Sequence, residues 1–586
     1  LLGEGGDNKG VKLQANEIAA ALEEIAALME IKGENPFRCR AYHNAARIVE
    51  GLSDLENRVQ EKTLIELKGI GEDLAEQITQ LALKGKSPRL AQLRKSFPQG
   101  VLDMLRVPGL GPKKVKVLYE DLGLQNLGEL EYACKENRLL ELKGFGAKTQ
   151  QNVLQGIELL KKTAGRFLLD VATQEAQSIL SFVQKQKGVI RSEIAGSLRR
   201  QKETIGDIDI LTSVKGSAEA LMKAFCGYPK VEAVLAQGET KSSIRLKTGI
   251  QVDLRAVTGQ EFPFALLYFT GNKEHNTVLR QIAKEKGWKL NEYGLFKGKK
   301  SLPCKNETEI YQALGLHFIP PELRENRGEF QFAAKRKYPR LIEEGDLKGT
   351  FHAHSTWSDG TASVLEMGKA AERLGFEYLG LSDHSQSAFY AGGLKPKELN
   401  DQAAEITRAN KGLKKCVVLQ GTESDILADG SLDYPPAVLK KLDFVIASLH
   451  SGFKMEREKM TRRIIKAIEN PQTRFIGHIS TRLLLARNGV DLDYAAIFAV
   501  AAKHGVVIEI NANPHRLDLD WRYLAQAKEM GVKFAINPDA HSPAGLADTV
   551  FGVGVARKGG LTAEDIINTR NLQEIREFCN KGRPRV

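Results

Sequence analysis

Between residues 377 and 542 six short apolar runs each end in polar residues: EYLGLSDHS, CVVLQGTESDI, DFVIASLHS, RFIGHIST, GVVIEINAN and GVKFAINPDAHS. An apolar-patterned helical stretch lies between successive runs. Short runs of this kind read as strands buried on both faces, and strands alternating with helices are the sequence form of a parallel sheet. Repeated this often, the pattern predicts a parallel βα barrel whose C-terminal strand ends converge on one face. Eight of the eleven histidines fall in this part of the chain: His352, His354, His384, His450, His478, His504, His515 and His541. His352 and His354 open the segment HAHSTWSDG directly after Phe351, and with His384, His450, His478 and His541 they lie at or just past strand ends. So do Asp359, Asp383, Glu423 and Asp539. A lone histidine there is more often a packed core residue; six in register with carboxylates predict a metal centre. Imidazole with carboxylate suits Zn²⁺, Mn²⁺ or Fe²⁺ better than Mg²⁺. So many donors imply two or three ions, enough to activate water and stabilise a phosphoryl transition state. His504, late in a helix, and His515, in a loop, are weaker candidates.

A chain of 586 residues exceeds one ordinary core and predicts several domains. Its six cysteines lie far apart with no CxxC pair, which excludes a disulfide framework and a thiolate zinc site and fits a reducing cytoplasm. No apolar run approaches the roughly 20 residues that span a bilayer, and no secretory pattern opens the sequence; no membrane association is expected. Leu1 is not an initiator methionine, so the true start is not given. Most of the net charge of +12 lies before residue 346. Such basicity attracts polyanions, nucleic acid among them.

Helical periodicity dominates up to about residue 165. The stretch 16–35 places Ile18, Leu22, Ile25 and Leu28 or Met29 on one face, with Asn16 as its expected N-cap. A motif then recurs three times, LKGIGED (67–73), VPGLGPKK (107–114) and LKGFGAKT (142–149): an apolar residue, Gly-apolar-Gly, then a polar helix start. Glycines permit positive φ and close backbone approach, and the helix start turns its N–H groups outward toward an anion. One such corner is an ordinary helical turn. Three predict helix-hairpin-helix contacts to a DNA backbone, through Gly69, Gly71, Gly109, Gly111, Gly144 and Gly146, that position without selecting sequence.

After residue 165 the texture changes. The segment 189–214 reads as a strand ending near Ala195, a Gly-Ser turn, a basic stretch and a second strand bearing Asp207 and Asp209; 244–257 reads as a hairpin with Asp253 on its second strand. Residues two apart on a strand share a face, so Asp207 and Asp209 project together, and a third carboxylate from a neighbouring strand completes a hard-oxygen cage for two Mg²⁺. Gly196 and Ser197, with Arg200 nearby, suit phosphate binding.

GSLRRQKETIGDID (196–209), VDLR (252–255) and YFTGNKEHN (268–276) resemble the palm and thumb signatures of the family X DNA polymerases over essentially all of 1–320. The resemblance implies a lyase-like DNA-end-binding helical domain (1–85), fingers with helix-hairpin-helix motifs (86–165), an α/β nucleotidyltransferase palm (166–260) and a small α/β thumb (261–319). It implies that Asp207, Asp209 and Asp253 bind two Mg²⁺ or Mn²⁺, Asp253 activating the primer 3′-hydroxyl. Gly196, Ser197 and Arg200 would hold the triphosphate; Tyr268, Phe269 and Gly271 would lie against the sugar; Asn276 would reach the base edge and Arg280 the template strand. One position departs from the pattern: Gln77 stands where lyase-active relatives place their lysine, and an amide cannot form the imine.

Beyond a linker (320–347), residues 348–586 resemble the polymerase-and-histidinol-phosphatase (PHP) domain, a distorted (β/α)7 barrel. The resemblance implies His352, His354, Asp359, His384, Glu423, His450, His478, Asp539 and His541 as ligands of two or three Mn²⁺, Zn²⁺ or Fe²⁺ ions, and a 3′→5′ exonuclease, with abasic-site cleavage or 3′-end cleaning in some relatives. The sequence thus predicts a gap-filling repair polymerase with an exonuclease, a cytoplasmic, nucleoid-associated monomer acting on gapped or primer-template DNA with dNTPs. Two alternatives stand beside it: a barrel that hydrolyses small phosphate esters or pyrophosphate, and an N-terminal part that only binds DNA.

Overall fold

The computed structural model describes residues 13–580 except 53, 136–138, 140, 141, 143, 164, 486 and 487. The chain forms two compact units, Leu1–Ala164 and Gly165–Val586.

The first unit is helical around one apolar core that includes Ile18, Leu22, Ile25, Leu28 and Met29. Its opening helix, Ala15–Lys32, starts before the expected cap: Gln14 is the N-cap, because the Glu17 carboxylate accepts the Gln14 N–H at 2.8 Å and closes a capping box. The three Gly-apolar-Gly corners share one geometry. Gly69, Gly109 and Gly144 hold φ of 97°, 85° and 87°, and Gly71, Gly111 and Gly146 precede the helices Glu72–Lys84, Pro112–Leu122 and Ala147–Thr163. Each corner carries the same backbone bond, Ile70 to Leu67, Leu110 to Val107 and Phe145 to Leu142.

In the second unit a five-stranded sheet runs Val189–Ile194, Asp207–Val214, Gln251–Val257, Lys241–Leu246, Val231–Gln237. Only the pair Asp207–Val214 and Gln251–Val257 is parallel, which sets Asp209 directly opposite Asp253. The Gly-Ser corner is a single helical turn, Gly196–Arg199. Phe262–Thr270 and Lys273–Glu285 lead into a three-stranded antiparallel sheet with its own core. Residues 320–347, expected as a linker, are ordered: Arg324 is fully buried, and Phe330 and Ala333 of the helix Glu329–Lys335 join that same core.

The remaining chain builds seven parallel strands in sequence order from Gly349–Ala353 to Phe534–Asn537. His354 N–H donates to Ala540 O at 2.8 Å and Ala540 N–H to His352 O at 3.1 Å, bringing the first and last strand ends together. Inside, Phe351, Tyr378, Phe444 and Phe475 fill the barrel below its C-terminal face. Gly380 leaves room for them: a Cβ there would lie 2.5 Å from the Phe351 ring.

Candidate active sites

The parallel pairing puts Asp207, Asp209 and Asp253 on one sheet face, with a cavity of about 210 Å³ lined by Asp209, Asp253, Lys241, Arg255 and Phe269 among others. Burial, and then the carboxylates of Asp207 and Asp253, push the Asp209 carboxyl up to about 7. Burial opposes ionisation of Asp253 too. There, however, Gln251 Nε2 at 2.9 Å and Lys241 Nζ at 3.0 Å hold the carboxylate below its ordinary range. A carboxylate trio with one member pushed toward neutrality by burial and by its neighbours is the condition a divalent cation relieves.

Gly196 has a more immediate duty than phosphate contact. Its φ is 62°, and a Cβ there would overlap Asp209 Oδ2. Ser197 follows it, half-buried, in the same helical turn. Arg200 is anchored beneath the next turn, its Nη1 on Thr270 O and its Nε on Glu325 Oε1 at 3.2 Å; a Cβ on Gly271 would lie 3.1 Å from that Nη1. Tyr268 and Phe269 stand edge to face, and the Arg255 guanidinium covers the Phe269 ring at 4.4 Å. Asn276 donates to Tyr268 O at 2.6 Å, bracing this turn. Arg280, one helical turn further on, is exposed and, among the described residues, bonded only to Thr277 Oγ1 at 3.2 Å.

Arg199, which the sequence did not single out, binds Glu307 through Nη1 at 3.1 Å and Nη2 at 2.6 Å, and Arg324 reaches Glu307 at 2.6 Å. These contacts tie the sheet to the smaller domain. In the first unit, a Cβ on Gly71, Gly109, Gly111, Gly144 or Gly146 would meet nothing within 4 Å, so these backbones face open space. Gln77 accepts a hydrogen bond from Ser87 Oγ at 2.8 Å, and Ser87 caps the next helix.

At the barrel's C-terminal face all nine candidate ligands come together in overlapping groups: His354, Asp359, His384 and His541; His352, His354 and Asp539; His352, Glu423 and His478; His384, Glu423 and His450. Within each group one donor atom per residue lies within 4.8 Å of the others. Glu423 is the hub. Its Oε1 lies 3.2 Å from His352 Nε2, 3.1 Å from His450 Nε2 and 2.9 Å from His478 Nε2, and its Oε2 lies 3.0 Å from His384 Nδ1. Burial alone would raise this carboxyl, yet His450, His352 and His384 hold it well below the ordinary range. Among the described residues, His352 Nε2 and both ring nitrogens of His354 are buried without a hydrogen-bond partner. Buried imidazole lone pairs converging on carboxylates with nothing to receive them fit metal ions.

Two candidate ligands occupy the left-handed region, His352 at φ 56°, where the ladder of the first strand shifts register, and Asp539 at 53°, just past the last strand. Such backbone is held only when the surroundings over-determine it. Three carboxylates supply that support without joining the groups. Glu509 accepts His352 Nδ1 at 2.6 Å and the His478 N–H at 3.0 Å; Asp425 accepts His450 Nδ1 at 2.6 Å. Asp383, a strand-end candidate, instead receives Ser355, Ser358 and Gln402 at 2.6 to 2.7 Å and fixes the loop after His354. Glu509 and Asp425 were missed, although a Glu in the all-buried strand VIEIN (507–511), and an Asp two residues past Glu423 on the same strand face, were visible signals. His504 and His515 are exposed and outside every group.

Family models match four stretches of the chain: a helix-hairpin-helix domain at 14–87, a SAM-like helix-hairpin-helix tandem at 101–158, a DNA polymerase beta thumb at 265–325 and a PHP domain at 350–513. The chain is 37% identical over 97% of its length to the whole of the DNA polymerase/3′-5′ exonuclease PolX of Bacillus subtilis (strain 168). A probable phosphatase of Thermoanaerobacter sp. (strain X514) is 28% identical across 40% of this chain and 92% of its own. DNA polymerase lambda of Rattus norvegicus is 24% identical across 53% of this chain and 56% of its own.

Proposed function

The chain belongs to the family X DNA polymerases that carry a C-terminal PHP domain, and on that footing we propose that it fills short gaps in DNA with its palm and removes nucleotides from DNA 3′ ends with its barrel. The observation that carries the reading is one polypeptide holding both the Asp209–Asp253 pair and the nine-residue donor cluster.

In extension, the primer 3′-oxygen bonds to the α-phosphorus of a dNTP, the bond to pyrophosphate breaks, and the hydroxyl proton leaves toward Asp253. Two Mg²⁺ or Mn²⁺ ions held by Asp207, Asp209 and Asp253 would neutralise the migrating phosphoryl group. Ser197 and Arg200 hold the triphosphate, and Tyr268 and Phe269 wall the sugar. Asn276 and Arg280 present the same helix face to the base pair and template, while the hairpin glycines receive DNA phosphates. In the barrel, two or three Mn²⁺, Zn²⁺ or Fe²⁺ ions on the nine ligands would supply Lewis acidity for the cleaved phosphodiester. Water oxygen bonds to phosphorus as the 3′-oxygen of the penultimate nucleotide departs. Glu509 and Asp425 keep His352 and His450 oriented for that work. Gln77 supplies no amine, so no lyase step is assigned to the first domain. The working form is a monomer on gapped or primer-template DNA.

A gel assay on a gapped duplex tests this, in Mg²⁺ or Mn²⁺, with and without dNTPs. Asp253→Ala is expected to abolish extension alone, and His352→Ala 3′ degradation alone. Likeness of the barrel to a probable phosphatase supports a second reading, hydrolysis of small phosphate esters. Degradation that survives His352→Ala, with p-nitrophenyl phosphate hydrolysis lost, selects it.

A further inference from the structure

The loop 200–203, which begins at Arg200, packs against the barrel. Gln201 holds φ of 52° and packs on the helix Thr549–Lys558, where a Cβ on Gly554 would lie 2.6 Å from Gln201 Oε1. At the end of that helix Lys558 buries its whole side chain, and its ammonium donates to Arg200 O at 2.8 Å, Glu322 O at 3.2 Å and Glu325 Oε1 at 2.6 Å. Those three acceptors match its three protons.

Glu325 stands between this lysine and the nucleotide site. It takes Arg200 Nε at 3.2 Å and Asn272 Nδ2 at 3.2 Å, and Lys202 Nζ lies 3.4 Å away. Since Arg200 Nη1 is committed to Thr270 O, Nη2 is the guanidinium nitrogen left without a partner among the described residues. The far end of the loop is fixed as well, Arg522 Nη1 holding Glu203 Oε1 at 2.9 Å. Over the junction lies Trp521, with Lys558 Nζ 4.7 Å, Arg522 4.8 Å and Lys202 5.9 Å from its ring.

We infer that Lys558 is a positioning residue for the polymerase site: through Glu325 it fixes Arg200 with Nη2 free for the triphosphate, so the barrel sets nucleotide affinity in addition to its own chemistry. Two physical effects act together. A guanidinium tied at two nitrogens loses little further freedom when it meets a phosphate. And a Glu325 carboxylate deprived of Lys558 would be balanced by Arg200 and Lys202 alone, leaving less of their positive charge for an incoming polyanion. The inference rests on the polymerase reading and on Arg200 as a triphosphate contact.

The test uses the full chain in single-nucleotide gap filling, with KM for the dNTP and kcat measured alongside 3′ degradation and melting temperature. Lys558→Met is expected to raise KM about 10-fold, as for loss of a charge-assisted contact, with kcat little changed and 3′ degradation intact. Lys558→Arg is expected to restore most of the affinity. Lys558→Met combined with Glu325→Gln removes both charges and is expected to bind dNTP better than Lys558→Met alone; this pair also serves if Lys558→Met does not fold. A KM unchanged in a folded Lys558 variant, while Arg200→Ala raises it, overturns the inference and leaves the polymerase reading standing. Parallel losses of KM, kcat and 3′ degradation that Lys558→Arg does not rescue reduce Lys558 to a structural residue and also overturn it. If Arg200→Ala leaves KM unchanged, the triphosphate assignment fails and the inference with it. A wild-type chain that does not extend primers refutes the polymerase reading itself.

Discussion

The two candidate metal-binding regions are built on opposite plans. The palm offers three carboxylates on one face of an open sheet, one of them pushed up to about 7 by burial and by the other two. The barrel gathers nine donors, Glu423 at their hub and all but the exposed Asp359 buried or half-buried, with Glu509 and Asp425 fixing the histidine rings from behind. A three-carboxylate site leaves coordination positions for the oxygens of primer and nucleotide, so its ions are expected to arrive with substrate. The barrel's donor set can hold its ions before any substrate comes. One centre is completed by what it acts on, the other by its own chain.

The sharpest way to break that contrast is to remove one ligand from each. Asp209→Asn is expected to lower extension about a thousandfold, through loss of metal charge at the reacting phosphate, with 3′ degradation intact in the same gel lanes; His354→Ala is expected to do the reverse. Next comes the support behind the barrel ligands. Glu509→Gln should weaken barrel metal retention about 10- to 100-fold, read as metal content after dialysis, while extension stays at the wild-type rate. If retention is unchanged, the barrel is not preorganised from behind as described.

Acid offers a third, smaller probe. Burial opposes ionisation of Glu307 and Glu325, yet Arg324 and Lys558 pull both carboxyls down to about 2. A carboxyl depressed on folding contributes stability that is present above its unfolded pKa, near 4.5, and lost as the pH falls toward 2. Melting temperature should therefore decline through that window, and Glu307→Gln should flatten the decline. Smallest of all, Gly109→Ala forces a left-handed φ on a side chain and should cost about 1 kcal/mol in the first unit, with a matching loss of gapped-DNA affinity in a binding titration.

How much of this was legible depends on whether the signal was local. The barrel's strands were, since each run is apolar and ends in polar residues, and placing His352, His384, Glu423 and His478 at those ends was enough to bring them together. The Asp207–Asp209 spacing fixed a shared face, but the parallel pairing that sets Asp209 opposite Asp253 depends on sheet order, which no local pattern carries. Positive φ at His352 and Asp539 was not legible either: His and Asp are enriched in the left-handed region, but too weakly to single out two positions among so many. The contact between barrel and palm was invisible for a plainer reason. Lys558, Glu325 and Arg522 look like ordinary solvent-facing charges, and only the fold shows Lys558 without exposure. Asn16 failed as a cap because Gln14 forms a reciprocal pair with Glu17.

The helix Thr549–Lys558 begins eight residues after His541, the last candidate metal ligand, and ends against the loop that carries Arg200. For the history of such a chain this matters. Exchange of the barrel by recombination, for any fold lacking a small residue at 554 and a lysine at 558, would strand Glu325 and the Arg200 loop. The two catalytic halves are thereby joined by a fitted contact as well as by the chain itself.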